Sequence, residues 1–380
     1  MADNKHYLAV NWVDGMKVNK EHFIASDRHL TQGLKNAQSQ SLNPFNYGIV
    51  LQTSSEYPSL DLSTDIDNQA RVHVKVLRCQ ALTRSGSLID IDNNYLTGED
   101  FSALLPQDKI DLLPEKNNEL YIAVSVNPYG RVPVGQANAE ENPPRLPHVI
   151  PEYHISFHNI EEKKSVLTEN SLIIGKLIIV DHKPEIDKTY IPPCQCTYSH
   201  PKLIEYHTQL LAILGQIEID IVDILQGIKE KKQSTSISNT VAEISQSLLI
   251  FLGFSLPDFR RSGRYYPPVF MFETICAFAR VINNIISIQT RTDREELFNY
   301  IMDWSSLKQG EFENLIKQAA EIDYDHDDIN SSIKKIDPFI LNISKIFNTL
   351  SNLDFIGKKK DRQIFVKEQK EKPSSSFLVD

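Results

Sequence analysis

The chain is poor in the residues that build disulfide scaffolds and phosphate-binding loops. Its 380 residues include only four cysteines and 14 glycines. Four scattered cysteines cannot form a disulfide framework, which indicates a reducing compartment. Walker A, G-x-G-x-x-G, H-E-x-x-H and G-x-S-x-G patterns are all missing. The sequence therefore predicts no catalytic residues and no metal site, and we expect that the chain is not an enzyme.

Long hydrophobic runs are also missing. The longest, Ser247–Phe254 and Leu172–Val180, fall well short of the roughly 20 apolar residues that span a bilayer. The opening MADNKHYLAV lacks the pattern of a secretory signal. The sequence thus predicts a soluble, cytoplasmic protein. Its formal charge of −10 argues against a general nucleic-acid binder, and we expect no cofactor and no small-molecule substrate.

Residues 1 to about 190 carry strand signals. Val72, Val74 and Val76 alternate with polar residues, which is typical of a half-buried strand. Further strand candidates cover residues 7–12, 47–52, 87–92, 119–126, 153–160 and 172–180. One helix is predicted over Lys20–Gln38, with Asn19 as its N-cap. Several short strands with irregular connections favour a sandwich or an open barrel.

Beyond Pro192-Pro193 the pattern changes to long helices. From Leu203 onward, apolar residues recur at alternating steps of four and three, a heptad seam with one polar member, His207. Isoleucine at both core positions in its second half favours trimers or larger assemblies over dimers. An antiparallel bundle within one chain is the alternative. The residues predicted to form a trimer interface are Leu203, Leu210, Leu214, Ile217, Ile221, Ile224 and Ile228.

A second seam runs from Ile329 to Leu350. Pro338 lies inside it and predicts either a kink or the true start of that helix. The acidic run 323–328 precedes this seam, and it fails as a calcium loop because an aspartate stands where glycine is needed. We interpret Asp325 or Asp327 as the N-cap of the helix.

Together these patterns predict an α+β multidomain fold whose heptad seam packs either within one chain or between copies. A β-sandwich is expected over residues 1–190, a helical bundle over 191–355, and a flexible, lysine-rich tail over 356–380. The tail ends in Phe377-Leu378-Val379, which is interpreted either as a short docking segment or as a solvated terminus.

Several segments resemble TssK, the baseplate subunit of bacterial type VI secretion systems. The residues that carry the resemblance are Trp12-x-x-Gly15-Met16 with His22-Phe23 and Asp27-Arg28, then Pro44-Phe45-Asn46-Tyr47-Gly48-Ile49, Tyr190-Ile191-Pro192-Pro193-Cys194 and Tyr324-Asp325-His326-Asp327-Asp328. The sequence departs from the family at Lys20, where the family usually has proline, and in residues 275–286, which lack its glycine-rich motif.

The resemblance implies a homotrimer with a β-sandwich shoulder and a helical neck with trimeric coiled-coil-like packing. The shoulder would attach to the baseplate wedge, which is built from TssF, TssG and TssE. The expected wedge contacts are Trp12, Met16, His22, Phe23 and Arg28. The alternative is that these residues only hold the N-terminal helix on the sandwich.

Typical TssK proteins continue into a C-terminal head that contacts the membrane complex. Here roughly 25 residues follow Leu353, so the resemblance implies that the head is missing or reduced to a peptide. We therefore expect Phe377, Leu378 and Val379 to dock on an unidentified envelope-anchoring protein, at the inner face of the cytoplasmic membrane. A receptor-binding or tail protein of a phage-type particle is the second interpretation.

Overall fold

Two antiparallel sheets form the first half of the chain. The computed structural model describes residues 6–51, 58–69, 71–92, 101–112, 119–159, 162, 168–180, 183–305 and 308–357. Its strands are β1 Gly48–Ile49, β2 Leu60–Ile66, β3 Val72–Leu82, β4 Leu88–Asp92, β5 Ser102–Leu104, β6 Glu119–Val134, β7 His148–His158, β8 Ser171–Val180 and β9 Lys183–Ile186.

Strand β3 is the centre of the first sheet, where it pairs with β1, β2, β4 and β5. The second sheet has the order β7-β6-β8-β9. Val72, Val74 and Val76 are buried while their polar neighbours are half-buried, so the predicted alternation is confirmed. Apolar side chains from both sheets belong to one core, and the Phe101 and Tyr153 rings meet across it at 6.0 Å.

Helix α1 spans Lys20–Ser39, close to its predicted bounds. The Asn19 side chain accepts from the backbone N–H groups of Glu21 and His22, which confirms Asn19 as the N-cap. The prediction of a strand over residues 7–12 is wrong. That segment runs beside α1 instead, and the Tyr7 N–H donates to the Gln32 side chain at 2.6 Å.

The remaining helices follow in chain order. They are α2 Gln107–Leu112, α3 Pro201–Glu230, α4 Ser236–Arg261, α5 Val269–Ile288, α6 Arg291–Trp304, α7 Gln309–Ala320 and α8 Ile329–Ser351. Helix α3 packs against α4 and α8, and α5 packs against α4 and α7. Helices α3 to α8 thus form a bundle within one chain, with a core continuous with that of the sheets.

The heptad seam of α3 is buried inside this bundle. Every predicted trimer-interface residue, from Leu203 to Ile228, is at most 8% exposed within a single protomer. A side chain already covered by its own chain cannot also be covered by another copy. The assignment of these residues to a trimer interface is therefore corrected, and the seam packs intramolecularly because α4 and α8 lie against it.

The polar member of the seam is accommodated by α4. His207 donates through Nε2 to the carbonyl of Phe259 at 2.9 Å, and its ring stacks on the Phe259 ring with centroids 4.5 Å apart. The buried imidazole is therefore hydrogen-bonded within the bundle, as burial of a polar group requires.

The start of α8 also differs from the prediction. The N-cap is Asp328, whose carboxylate accepts from the Ser331 N–H at 3.1 Å, rather than Asp325 or Asp327. The helix begins at Ile329, nine residues before Pro338, so Pro338 does not mark its start. Asp325 and Asp327 are used elsewhere, as described below.

Helices α4 and α5 are each long and apolar enough to cross a membrane by length and composition alone. Their most apolar 18-residue windows have mean hydropathies of 1.3 and 1.5. Both helices lie in the bundle, where Leu248, Leu252, Phe272 and Phe278 are buried.

Candidate interaction surface and the joint between sheets and helices

An exposed apolar surface covers α1 and the segment before it. No residue of α1 is buried. We call this surface the N-terminal patch; its members, with their exposed fractions, are Leu8 80%, Trp12 50%, Val13 58%, Val18 50%, Phe23 59%, Leu30 62% and Leu34 67%. A concentration of exposed apolar side chains on one part of a fold marks it as a candidate interaction surface.

Three members of the patch form a stripe along α1. Phe23, Leu30 and Leu34 are separated by seven and four residues, a spacing that places them on one helix face. At 1.5 Å per residue the stripe is about 16 Å long, or three turns. The Trp12 ring lies 6.3 Å from the Phe23 ring and 6.1 Å from the His22 ring, and it extends the stripe beyond the start of the helix.

The five predicted wedge-contact residues do not share one surface. Trp12 and Phe23 are exposed members of the patch, whereas Met16, His22 and Arg28 are half-buried. The Arg28 guanidinium lies over the Tyr7 ring at 5.6 Å, and it is about 140° around the helix from Phe23. The structure thus brings Trp12, His22 and Phe23 together, and it places Arg28 where it holds the N-terminal segment on α1.

Helix α1 is fixed to the sheets in its first half and near its C-terminal end. Arg131 of β6 pairs with Asp27 at 2.9 Å, and the Tyr7 and Tyr129 rings are 4.4 Å apart. At the other end, Gly86 has a φ of +84°, and a Cβ there would lie 2.6 Å from the Lys35 carbonyl oxygen. Only glycine permits this approach, so the patch has a defined position on the sheets.

A second cluster joins the sheets to the helices. The segments 44–49, 190–194 and 324–328, which carry the resemblance, converge here. We call this cluster the joint; it consists of Tyr47, Arg84, Tyr190, Tyr324, His326 and Asp327.

Asp327 is the centre of the joint. Its carboxylate accepts from the Tyr47 hydroxyl at 2.7 Å and from the Arg84 guanidinium at 2.7 Å. Its backbone carbonyl accepts from the Tyr190 hydroxyl at 2.6 Å. Arg84 also donates to the Tyr47 oxygen and lies over its ring. Tyr47 and Arg84 adjoin strands of the first sheet and Tyr190 follows the second, so the cluster connects the start of α8 to the first sheet and to the segment after both sheets.

His326 is a buried, neutral member of the joint. Its Nε2–H donates to the Tyr47 carbonyl at 3.0 Å, which leaves Nδ1 to accept from the Tyr324 hydroxyl at 2.9 Å. Burial lowers the pKa of His326 to about 4, outweighing the nearby Asp327 carboxylate. Burial likewise raises the pKa values of Tyr47 and Tyr190. These groups therefore act as fixed hydrogen-bond partners.

Backbone pairing reinforces the joint. The Ile49 N–H donates to the Pro193 carbonyl at 2.8 Å, and the Gln195 N–H donates to the Ile49 carbonyl at 2.9 Å. Gly48 has a φ of +111°, and a Cβ there would lie 2.1 Å from the Pro193 oxygen. Any side chain at this position would force the two segments apart.

The polar side chains of the joint have a structural role. Its hydroxyls, its imidazole and its carboxylate are hydrogen-bonded to one another or to backbone groups. Within the part of the chain that the structure describes, no group of three or more His, Cys, Asp or Glu residues is placed to hold a metal ion. The arrangement fixes the orientation of the sheets relative to the bundle.

Sequence reasoning missed several of these residues. Leu30 and Leu34 could have been found from their helical spacing to Phe23. Arg84 lies in a turn between β3 and β4, and no local pattern links it to Asp327, which is 243 positions away.

No family model matches the chain, and no curated protein matches its sequence. Solved structures do match. The chain is similar to a crystal structure of TssK with a TM-score of 0.50 and 14% identity, over 90% of this chain and 70% of that one. It also matches a baseplate complex of the type VI secretion system, with a TM-score of 0.47, 13% identity, and coverage of 75% and 91%. A TssK-TssF-TssG baseplate subcomplex matches with a TM-score of 0.46, 11% identity, and coverage of 91% and 99%.

The sheets, the bundle and the joint define a mixed sheet-and-helix scaffold. The likeness to the TssK crystal structure identifies this scaffold: the chain has a TssK-like fold. The α+β, TssK-like fold expected from the resembling segments is thereby confirmed, whereas the trimeric coiled-coil-like packing stays a prediction.

Proposed function

We propose that the chain is a non-enzymatic structural subunit of a type VI secretion baseplate. The observation that carries this proposal is the TssK-like fold, which extends over 90% of the chain. The exposed N-terminal patch supports it, because a structural adaptor needs a surface for its neighbour. The joint supports it as well. It holds the sheets and the helices in a fixed relative orientation, which suits a structural subunit that positions its neighbours in an assembly.

We propose that the N-terminal patch contacts the wedge proteins, here TssF-, TssG- and TssE-like subunits. Trp12 and Phe23 would make the contact, and the half-buried His22 and Met16 would complete the site. Arg28 would contribute by holding Tyr7 and the N-terminal segment in place.

Replacing Phe23 by aspartate is expected to abolish co-purification with the wedge proteins. The substitution puts a charge into the apolar stripe, whereas the fold should survive because Phe23 is 59% exposed. The matched control is Leu341→Asp, since Leu341 is 47% exposed on α8, in the bundle. Co-purification that is equal for wild type and Phe23→Asp would contradict the wedge proposal.

We further propose that the chain assembles as a homotrimer, through surfaces other than the buried seam of α3. Light scattering on the intact chain is expected to give three times the chain mass of 43.4 kDa. A mass of one chain at every protein concentration would exclude a stable trimer.

Linkage to an envelope anchor is part of the same proposal. Phe377, Leu378 and Val379, the predicted docking residues, lie outside the described residues. The proposed location is the cytoplasm, at the inner face of the cytoplasmic membrane when assembled. Envelope recruitment of a chain that ends at residue 357, compared with the full chain, tests the linkage.

A further inference from the structure

We infer that the N-terminal patch binds one amphipathic helix of a partner protein, with carboxylates along the border of its apolar face. This inference deepens the proposed function and rests on it for the identity of the partner as a wedge subunit. It adds the secondary structure and the charge of the segment that is recognised.

The apolar part of the argument is the shape of the stripe. Phe23, Leu30 and Leu34 form a ridge of three turns, and each is more than half exposed. A ridge of this length fits the groove between rows of side chains on another helix. Recognition of an amphipathic helix uses anchors at these spacings. Trp12, beside Phe23, supplies a large aromatic surface at one end of the ridge.

The second part of the argument is the charge beside the stripe. Within about 120° of the stripe, α1 carries the charged residues Lys20, Asp27 and Lys35. Asp27 is already paired with Arg131. Among the described residues, neither lysine has a carboxylate partner within salt-bridge distance. Near one end of the stripe is the exposed Lys20 and near the other the half-buried Lys35, neither in a salt bridge among the described residues.

The acidic residue of the first turn does not neutralise these lysines. Glu21 lies about 160° around the helix from Phe23, on the opposite side of α1. The N-terminal end of the helix dipole adds positive potential close to Lys20. The segment before α1 adds exposed Asp14 and Lys17, whose charges offset each other. The patch thus presents a net positive charge on a chain whose net charge is −10. A partner with carboxylates at the border of its apolar face would complement it.

The test is photo-crosslinking in cells that produce the full chain and its secretion system. p-Benzoylphenylalanine is placed at position 30 or 34, with position 341 as the control, and the crosslinked peptides are sequenced. We expect both patch positions to capture the same segment. That segment should have apolar residues at steps of three and four, with aspartate or glutamate beside them.

The second part of the test reverses the charge of the two lysines. The double variant Lys20→Glu, Lys35→Glu should lower the crosslink yield from position 30 at least about fivefold, because a rim of opposite charge becomes one of like charge. The double variant Lys20→Arg, Lys35→Arg should keep the yield. Circular dichroism of both variants, expected to match wild type, confirms that α1 is intact.

Several outcomes would overturn the inference. These are crosslinks to a second copy of this chain, crosslinks to a segment without helical spacing or without acidic residues, an unchanged yield on charge reversal, and yields no higher than at position 341. If the wedge proteins co-purify and Phe23→Asp abolishes this, yet the crosslinked segment is not an acidic helix, only the inference fails. If the acidic helix belongs to a protein outside the wedge, the inference holds and the wedge proposal fails.

Discussion

Replacing Leu214 by alanine is expected to lower the free energy of unfolding by about 3 kcal/mol. Leu214 is fully buried in α3, where α4 and α8 pack against it. Truncation leaves a cavity that rigid neighbouring helices cannot fill. Urea unfolding followed by circular dichroism measures the loss. The matched control is Ile219→Ala on the same helix, because Ile219 is 56% exposed and should change stability by less than about 0.5 kcal/mol.

The same experiment distinguishes the two interpretations of the seam. If Leu214 packs within one chain, the loss of stability should be the same at every protein concentration. If it packed between copies, the unfolding midpoint of the variant would fall further on dilution, because association stabilises by mass action. A strongly concentration-dependent loss would therefore contradict the intramolecular seam.

Lowering the pH from 7 to 5 is expected to cost about 2 kcal/mol of stability for each of two histidines, His326 and His200. Burial lowers the pKa of each to about 4 in the folded chain, whereas an unfolded histidine titrates near 6.5. Between these values the unfolded state binds more protons than the folded state. Stability is therefore fully present above about pH 6.5 and falls as the pH drops towards 4.

Urea unfolding at pH 7, 6 and 5 measures this dependence. The variant His326→Gln should be less stable than wild type at pH 7, since it disturbs the joint. It should also lose less stability on acidification, because one of the histidines with a lowered pKa is absent, while His200, His207 and His158 still titrate. Equal losses for wild type and variant between pH 7 and 5 would show that His326 does not contribute.

Local patterns predicted the elements whose stability is local. The alternation around Val74 and the cap at Asn19 each depend on a few neighbouring residues, and both were predicted correctly. Strands β2, β5 and β9 were missed because they are short or partly polar, and pairing with longer neighbours holds them in the sheets. The segment 7–12 has the composition of a strand, but it packs beside α1 instead.

The heptad seam shows where a pattern is ambiguous. The periodicity predicts that α3 buries one face, but it does not identify the surface that packs against this face. Helices from the same chain and helices from another copy satisfy the seam equally well, and only the three-dimensional arrangement decides. Similarly, Asp327 in an acidic run before a helix suits a cap. Tyr47 and Arg84, which are distant in sequence, donate hydrogen bonds to the Asp327 carboxylate. Asp328 caps the helix instead.

The composition of the joint has a consequence for the order of folding during synthesis. Tyr47 and Asp327 are 280 positions apart, so the ribosome must produce almost the whole chain before they can meet. Until then the sheets and the early helix pairs, whose contacts are more local, can form by themselves. Contacts between such distant residues close late and slowly. We therefore expect that folding ends when residues 324–329 dock against segments 44–49 and 190–194, which are already in place.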